Sequence, residues 1–271
     1  MAASAPHPPP TSRWRRLVLA EVTPGGRMEG LDALRGLLAL GVMGYHLSVW
    51  TGLFPTGSWL NMSFSKLGNI GVSAFFILSG FVAFRLTDWT RLQREGLGRY
   101  YLKRWLRLAP AFYLAVLLNV SLGLGMGPGP TPFHLVENLS LLFGLIHPNH
   151  ALTIGGWFVG VVVLLYLVHP LLAWGRERYG PGLLLVLAAA LWLWSLEPTL
   201  HGVMAERGSD RFHLYVMPRN QLWLLALGGL LAEVHRRIPW RLAWPTMLLG
   251  TAILLTSLLW RTPTSTITWW P

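Results

Sequence analysis

The 271 residues are 53% hydrophobic and only 12% charged, with a mean hydropathy of +0.46. A soluble domain carries roughly 25% charged residues, so little of this chain can face water, and the composition describes a polytopic membrane protein. Cysteine is absent, which excludes disulfides, thiolate metal sites and cysteine nucleophiles. The formal charge of +11 is spread between apolar runs rather than along one hydrophilic stripe, which argues against a nucleic-acid binder.

The first 27 residues hold Pro8 to Pro10 and the cations Arg13, Arg15 and Arg16 without the apolar centre of a secretory signal. They read as a disordered cytoplasmic tail. A spanning helix needs ~20 mainly apolar residues, and seven runs meet or approach that. They are Leu31 to Trp50, Ile70 to Leu86, Leu108 to Leu124, Gly155 to Trp174, Gly182 to Trp194, Asn220 to Val234 and Ala243 to Trp260. A further apolar stretch, Phe133 to Ile146, is short and bracketed by Pro132 and Pro148, and reads as a re-entrant or interfacial helix. The predicted architecture is all-α, a transmembrane bundle of about seven spans plus that helix.

With the N-terminus in the cytoplasm, sixteen Lys and Arg fall on the inner side and five (Lys66, Arg207, Arg211, Arg219, Arg261) on the outer, as the positive-inside rule requires. Arg35 sits at the inner end of the first span. Fifteen tryptophans suit an interfacial belt.

Ionisable groups inside spans are expensive and mark functional candidates. The first span carries Asp32, Arg35 and His46. Eleven positions separate Arg35 from His46, which returns to within ~20° of the same helix face and climbs ~16 Å. Asp32, one turn before Arg35, can hold its guanidinium. Histidine suits proton transfer near neutral pH and can attack a carbonyl when neutral; the plain alternative is a snorkelling arginine and a satisfied core histidine. Before the third span, Lys103, Arg104 and Arg107 gather at the cytoplasmic mouth. Arg104 and Arg107, three apart, could clamp phosphate or simply touch anionic lipid. In Gly71 to Phe81, small residues allow close helix packing, and Ser79 can hydrogen-bond across the contact; no Gly-x-Ser-x-Gly elbow supports a nucleophilic serine.

His147 and His150 are i, i+3 in a proline-containing loop with no carboxylate close by in sequence, so no metal site is expected. His169 lies near a helix end, and Glu197, Glu206 and Asp210 are expected to neutralise the outer arginines.

Taken together, Leu31-Asp32-Ala33-Leu34-Arg35-Gly36 with His46, then Phe75-Phe76-Ile77-Leu78-Ser79-Gly80-Phe81, then Arg104-Trp105-Leu106-Arg107-Leu108-Ala109-Pro110 resemble, in order, the motifs of the acyltransferase 3 family. These integral-membrane enzymes mainly O-acylate carbohydrates and related molecules, usually from acyl-CoA. A fourth family motif keeps its Trp157, Tyr166 and Pro170 frame but holds Val162 where the family usually has Glu.

The resemblance implies a membrane acyltransferase domain over residues 28–271, in a bacterial inner membrane. It implies no permanently bound cofactor, with acetyl-CoA or another acyl-CoA as co-substrate and a hydroxyl-bearing acceptor, carbohydrate above all. His46, Arg35 and Asp32 would be catalytic. Arg104, Arg107 and Lys103 would bind donor phosphates, and Ser79, Gly80, Phe81, Trp157 and Tyr166 would serve substrate binding or packing. Members usually have more spans than seven, which leaves a compact member, a truncated product and a fragment as alternatives. The rival class is a non-catalytic or exporter-like membrane protein on the same scaffold.

Overall fold

The computed structural model describes residues 28–55, 57–123, 130–204, 208–235 and 237, with Gly250, Ala252 and Thr256; side chains are described outside 197–211. The predicted tail, nearly all of the predicted seventh span and the side chains of Glu197, Glu206 and Asp210 therefore lie outside the described residues.

All regular structure among the described residues is helical. In chain order it comprises α1 (Glu29–Thr51), α2 (Trp59–Leu86), α3 (Trp89–Glu95), α4 (Leu97–Ser121), α5 (Pro132–Ser140), α6 (Phe143–Ile146), a 3₁₀ turn (Pro148–His150), α7 (Gly156–Tyr179), α8 (Gly182–Met204), α9 (Gly208–Val216) and α10 (Pro218–His235). Two of these, α2 and α7, are long and apolar enough to cross a membrane, and α8 contains a shorter apolar stretch, Gly182–Leu196. The predicted short helix over Phe133 to Ile146 is instead two helices, broken at Leu141, whose φ of 61° lies in the left-handed region. The predicted second and third spans also begin earlier. Their polar leaders, Trp59 to Asn69 and Leu97 to Arg107, are wound into the same helices.

The helices fall into two compact units divided between Gly71 and Val72. In the first, α1 packs on the start of α2 through small residues. A Cβ on Gly44 would lie 2.4 Å from Phe64 and one on Gly68 2.5 Å from Tyr45, and Gly71 faces Val42. Such contacts let backbones approach where apolar burial gives little preference between lipid and protein. The opposite side of α1 leaves Leu37, Leu40, Met43 and Leu47 more than half exposed, an apolar stripe suited to lipid.

In the second unit the end of α2 crosses α10 backbone to backbone. A Cβ on Gly80 would sit 2.0 Å from the Leu225 carbonyl oxygen, and one on Gly228 would sit 2.0 Å from that of Ile77. Gly144 of α6 and Gly160 of α7 meet in the same manner. Phe112 stacks on Phe143 at 5.5 Å within a core that includes Ala109, Val116 and Leu141. Arg176 of α7 reaches Glu233 of α10 at 2.7 Å.

Candidate functional site

In the first unit, α1 runs unbroken from Glu29 to Thr51, with Glu29 and Asp32 in its first turn, where the helix dipole favours carboxylates. Gly52, at φ 60°, closes the helix in the left-handed conformation that glycine adopts freely. Asp32 accepts a hydrogen bond from Arg35 at 3.2 Å, as the i, i+3 spacing predicts. Both side chains are about one-third exposed, so the pair orients the guanidinium more than it stabilises the fold. Because the helix is continuous, Arg35 and His46 keep their shared face. The His46 ring lies between Tyr45, at 5.0 Å, and Trp50, at 5.7 Å. Its Nδ1 is buried and has no hydrogen-bond partner among the described residues. Buried polar atoms are normally satisfied, so this nitrogen is an unmet hydrogen-bonding group.

In the second unit, Arg104 of α4 turns inward. Its guanidinium lies 5.1 Å from the ring centroids of both Tyr100 and Tyr166 and donates to Thr87 Oγ1 at 3.3 Å. Two aromatic faces and one hydroxyl fix the plane of the cation and leave further N–H donors on its edge. Tyr100 Oη meets His169 Nδ1 at 3.2 Å, and both residues are buried. Burial, above all, pushes the Tyr100 phenol up to about 12. The three expected phosphate ligands do not converge. Lys103 is exposed and pairs with Glu95 at 2.5 Å, holding that carboxyl below its ordinary range, and Arg107 is exposed on the helix surface.

The remaining motif residues build the scaffold. Ser79 donates back to the Phe75 carbonyl oxygen at 2.8 Å, within its own helix rather than across the contact. Gly80 makes the α10 crossing. Phe81 is buried, edge-on to His235 at 5.5 Å, and Trp157 is buried against Phe76 and Tyr215.

A cluster that sequence reasoning missed lies between α4 and α7. Glu137, 4% exposed, bonds His147 Nδ1 at 2.6 Å through Oε1 and His150 Nδ1 at 2.8 Å through Oε2. Burial would raise its acidity constant's pKa, but the hydrogen bonds and charges of the two imidazoles outweigh it and hold the carboxyl below its ordinary range. The missing carboxylate is thus supplied from ten positions before His147, where the left-handed Leu141 ends α5 and turns the chain back. The signal that could have found it is Glu137 itself, the one acid between Glu95 and Glu177, set in an otherwise apolar stretch.

The family model described as an acyltransferase domain matches residues 28–271. The chain belongs to the acyltransferase 3 family. Among curated relatives, the peptidoglycan O-acetyltransferase OatA of Listeria monocytogenes is 34% identical over 95 residues, which are 34% of this chain and 13% of the relative. The O-acetyltransferase OatA of Staphylococcus aureus (strain NCTC 8325) is 30% identical over 99 residues, 35% of this chain and 14% of the relative. The match thus covers about one-seventh of these relatives' length. No solved structure matches the chain. In this acyltransferase 3 member, Val162 is 3% exposed, so the position where the family's fourth motif usually carries Glu is part of the apolar interior.

Proposed function

We propose that the chain is an integral-membrane O-acyltransferase that moves an acyl group, most simply acetyl, from acyl-CoA on the cytoplasmic side to a hydroxyl of a carbohydrate or related acceptor. Family membership supports the reaction class, and the names of the OatA relatives favour acetyl as the group and a cell-wall glycan as the acceptor. Two membrane-length helices and the apolar outer stripe of α1 support the bilayer setting, which we place in a bacterial inner membrane with residues 1–27 in the cytoplasm. The observation that carries the reading is the buried, unpartnered Nδ1 of His46, on the same continuous helix as the Asp32–Arg35 pair.

In this mechanism His46 takes the proton of the acceptor hydroxyl. The hydroxyl oxygen attacks the thioester carbonyl, the new C–O bond forms, the C–S bond breaks, and the CoA sulfur leaves with the proton returned from the imidazolium. Arg35, oriented by Asp32, stabilises the charge that develops on the carbonyl oxygen. Of the three basic residues expected to meet the donor's phosphates, Arg104 is the one held in a fixed orientation, and it offers its free N–H edge to them, while Lys103 is engaged by Glu95 and Arg107 stays on the helix surface. Gly80, Phe81, Trp157 and Tyr166 hold the helices in place, with Ser79 bonded into its own turn.

The test is acetyl-CoA binding and turnover by purified protein in nanodiscs. His46→Ala should lower turnover by about 10²–10⁴-fold, the usual contribution of a positioned acid–base group, with donor binding retained. Arg104→Ala should weaken donor binding instead. Val162, in place of a carboxylate, favours one second reading, a non-catalytic or exporter-like relative. Folded wild-type protein that neither binds nor turns over the donor would establish that reading and refute the first.

A further inference from the structure

We propose that Glu137, His147 and His150 form a binding site for a divalent transition-metal ion, Zn²⁺ above all, in the segment between α4 and α7. This site does not depend on the acyl-transfer reading. Its donors, one carboxylate oxygen and two imidazole nitrogens, lie within 4.8 Å of one another. A carboxylate with two imidazoles is the borderline donor set that Zn²⁺ prefers.

The surroundings fix these donors before any ion arrives. Thr131 caps α5 by accepting from the His134 backbone N–H at 3.3 Å. Asn138, fully buried, donates to the carbonyl oxygens of His134 and His150, both at 2.8 Å, and accepts from the Leu152 N–H at 3.0 Å. One side chain therefore staples the 3₁₀ turn carrying His150 onto the helix carrying Glu137. The His147 and His150 rings stack at 4.4 Å, and the His134 ring lies 4.5 Å from that of His150, so a third imidazole borders the cluster.

Charge supplies the second argument. Glu137 is buried, and among the described residues its ion-pair partners are the two histidines, with no lysine or arginine. A carboxylate in so poorly hydrated a position is costly. A divalent ion removes that cost. The oxygen–nitrogen separations of 2.6 and 2.8 Å need to open by under ~1 Å to admit an ion with bonds of about 2.0–2.2 Å. The His147 and His150 side chains, 42% and 27% exposed, can move outward to allow it. Three protein ligands leave the fourth tetrahedral position to water.

The experiment uses the full chain without a polyhistidine tag, in detergent, stripped with a chelator and titrated with Zn²⁺ against a chromophoric competitor at neutral pH. One Zn²⁺ per chain is expected at micromolar affinity or tighter, and Co²⁺ should give the visible bands of a four-coordinate site with nitrogen and oxygen ligands. Glu137→Gln should weaken binding at least tenfold. The combined His147→Ala and His150→Ala variant, altered at partly exposed positions and checked for retained helicity and monodispersity, should abolish it. Absence of stoichiometric Zn²⁺ binding by the wild type overturns the proposal. Unchanged Zn²⁺ affinity in the folded double variant overturns it as well, because the ion then sits elsewhere.

Discussion

Replacing Gly80 by alanine tests the helix crossing on which the second unit is built. The added methyl carbon would lie 2.0 Å from the Leu225 carbonyl oxygen, 2.8 Å from its carbonyl carbon and 3.1 Å from its Cα. A relaxed carbon–oxygen contact is about 3.3 Å or longer, so α2 and α10 must separate by about 1.3 Å. The obstacle is backbone, so no rotamer change relieves it. Overpacking of this kind costs about 1–3 kcal/mol, and a backbone clash places Gly80→Ala at the upper end. For a chain of this size 1 kcal/mol shifts Tm by about 2–4 °C, so a fall of roughly 6–12 °C is expected in a detergent melt followed by circular dichroism. Gly98→Ala on α4, where nothing lies within 4 Å of the added carbon, is the control and should leave Tm unchanged or slightly raised, as alanine suits a helix better than glycine. Equal Tm values for the two variants would refute the crossing.

Two further outcomes follow from buried polar groups. Asn138→Ala removes three hydrogen bonds and strands buried carbonyl and amide groups at about 1–3 kcal/mol each before relaxation; it should lower Tm more than any exposed substitution on α5, and faster amide exchange at Leu152 should accompany it. Tyr100 is held protonated well beyond the ordinary phenol value of 10.0, to about 12. A raised folded-state value contributes stability that is complete below the unfolded value and lost as pH rises through the folded one. Wild-type Tm should therefore fall between about pH 10 and 12, and Tyr100→Phe should flatten that part of the profile.

Local rules made much of this molecule legible from its sequence. Asp32 and Arg35 pair because i, i+3 side chains are neighbours on any helix, and the helical class follows from long apolar runs with few charges. The stretch around Leu141 was not legible, because a leucine at positive φ has no signature in sequence and is held there by its burial among Phe112 and Phe143. Without that reversal, Glu137 and His150 look remote from one another. Arg104 was legible as a cation at a helix start, but its inward turn depends on Thr87 and Tyr166, contacts separated by 17 and 62 positions that spacing along one helix does not reveal. Ser79 bonds within its own helix instead of across the contact for a simpler reason: a helical serine hydroxyl can always reach the carbonyl four residues back, here that of Phe75.

The length of α2 bears on the surroundings of His46. Its 28 residues extend ~42 Å, beyond a hydrocarbon core of about 30 Å, and its mainly apolar part, Ile70 to Phe84, accounts for ~22 Å of that. The preceding turns carry Asn61, Ser63, Ser65, Lys66 and Asn69. The partners of Gly44 and Tyr45, namely Phe64 and Gly68, lie in those polar turns. His46 thus follows directly on a residue that packs against the polar turns of α2 rather than against its apolar part.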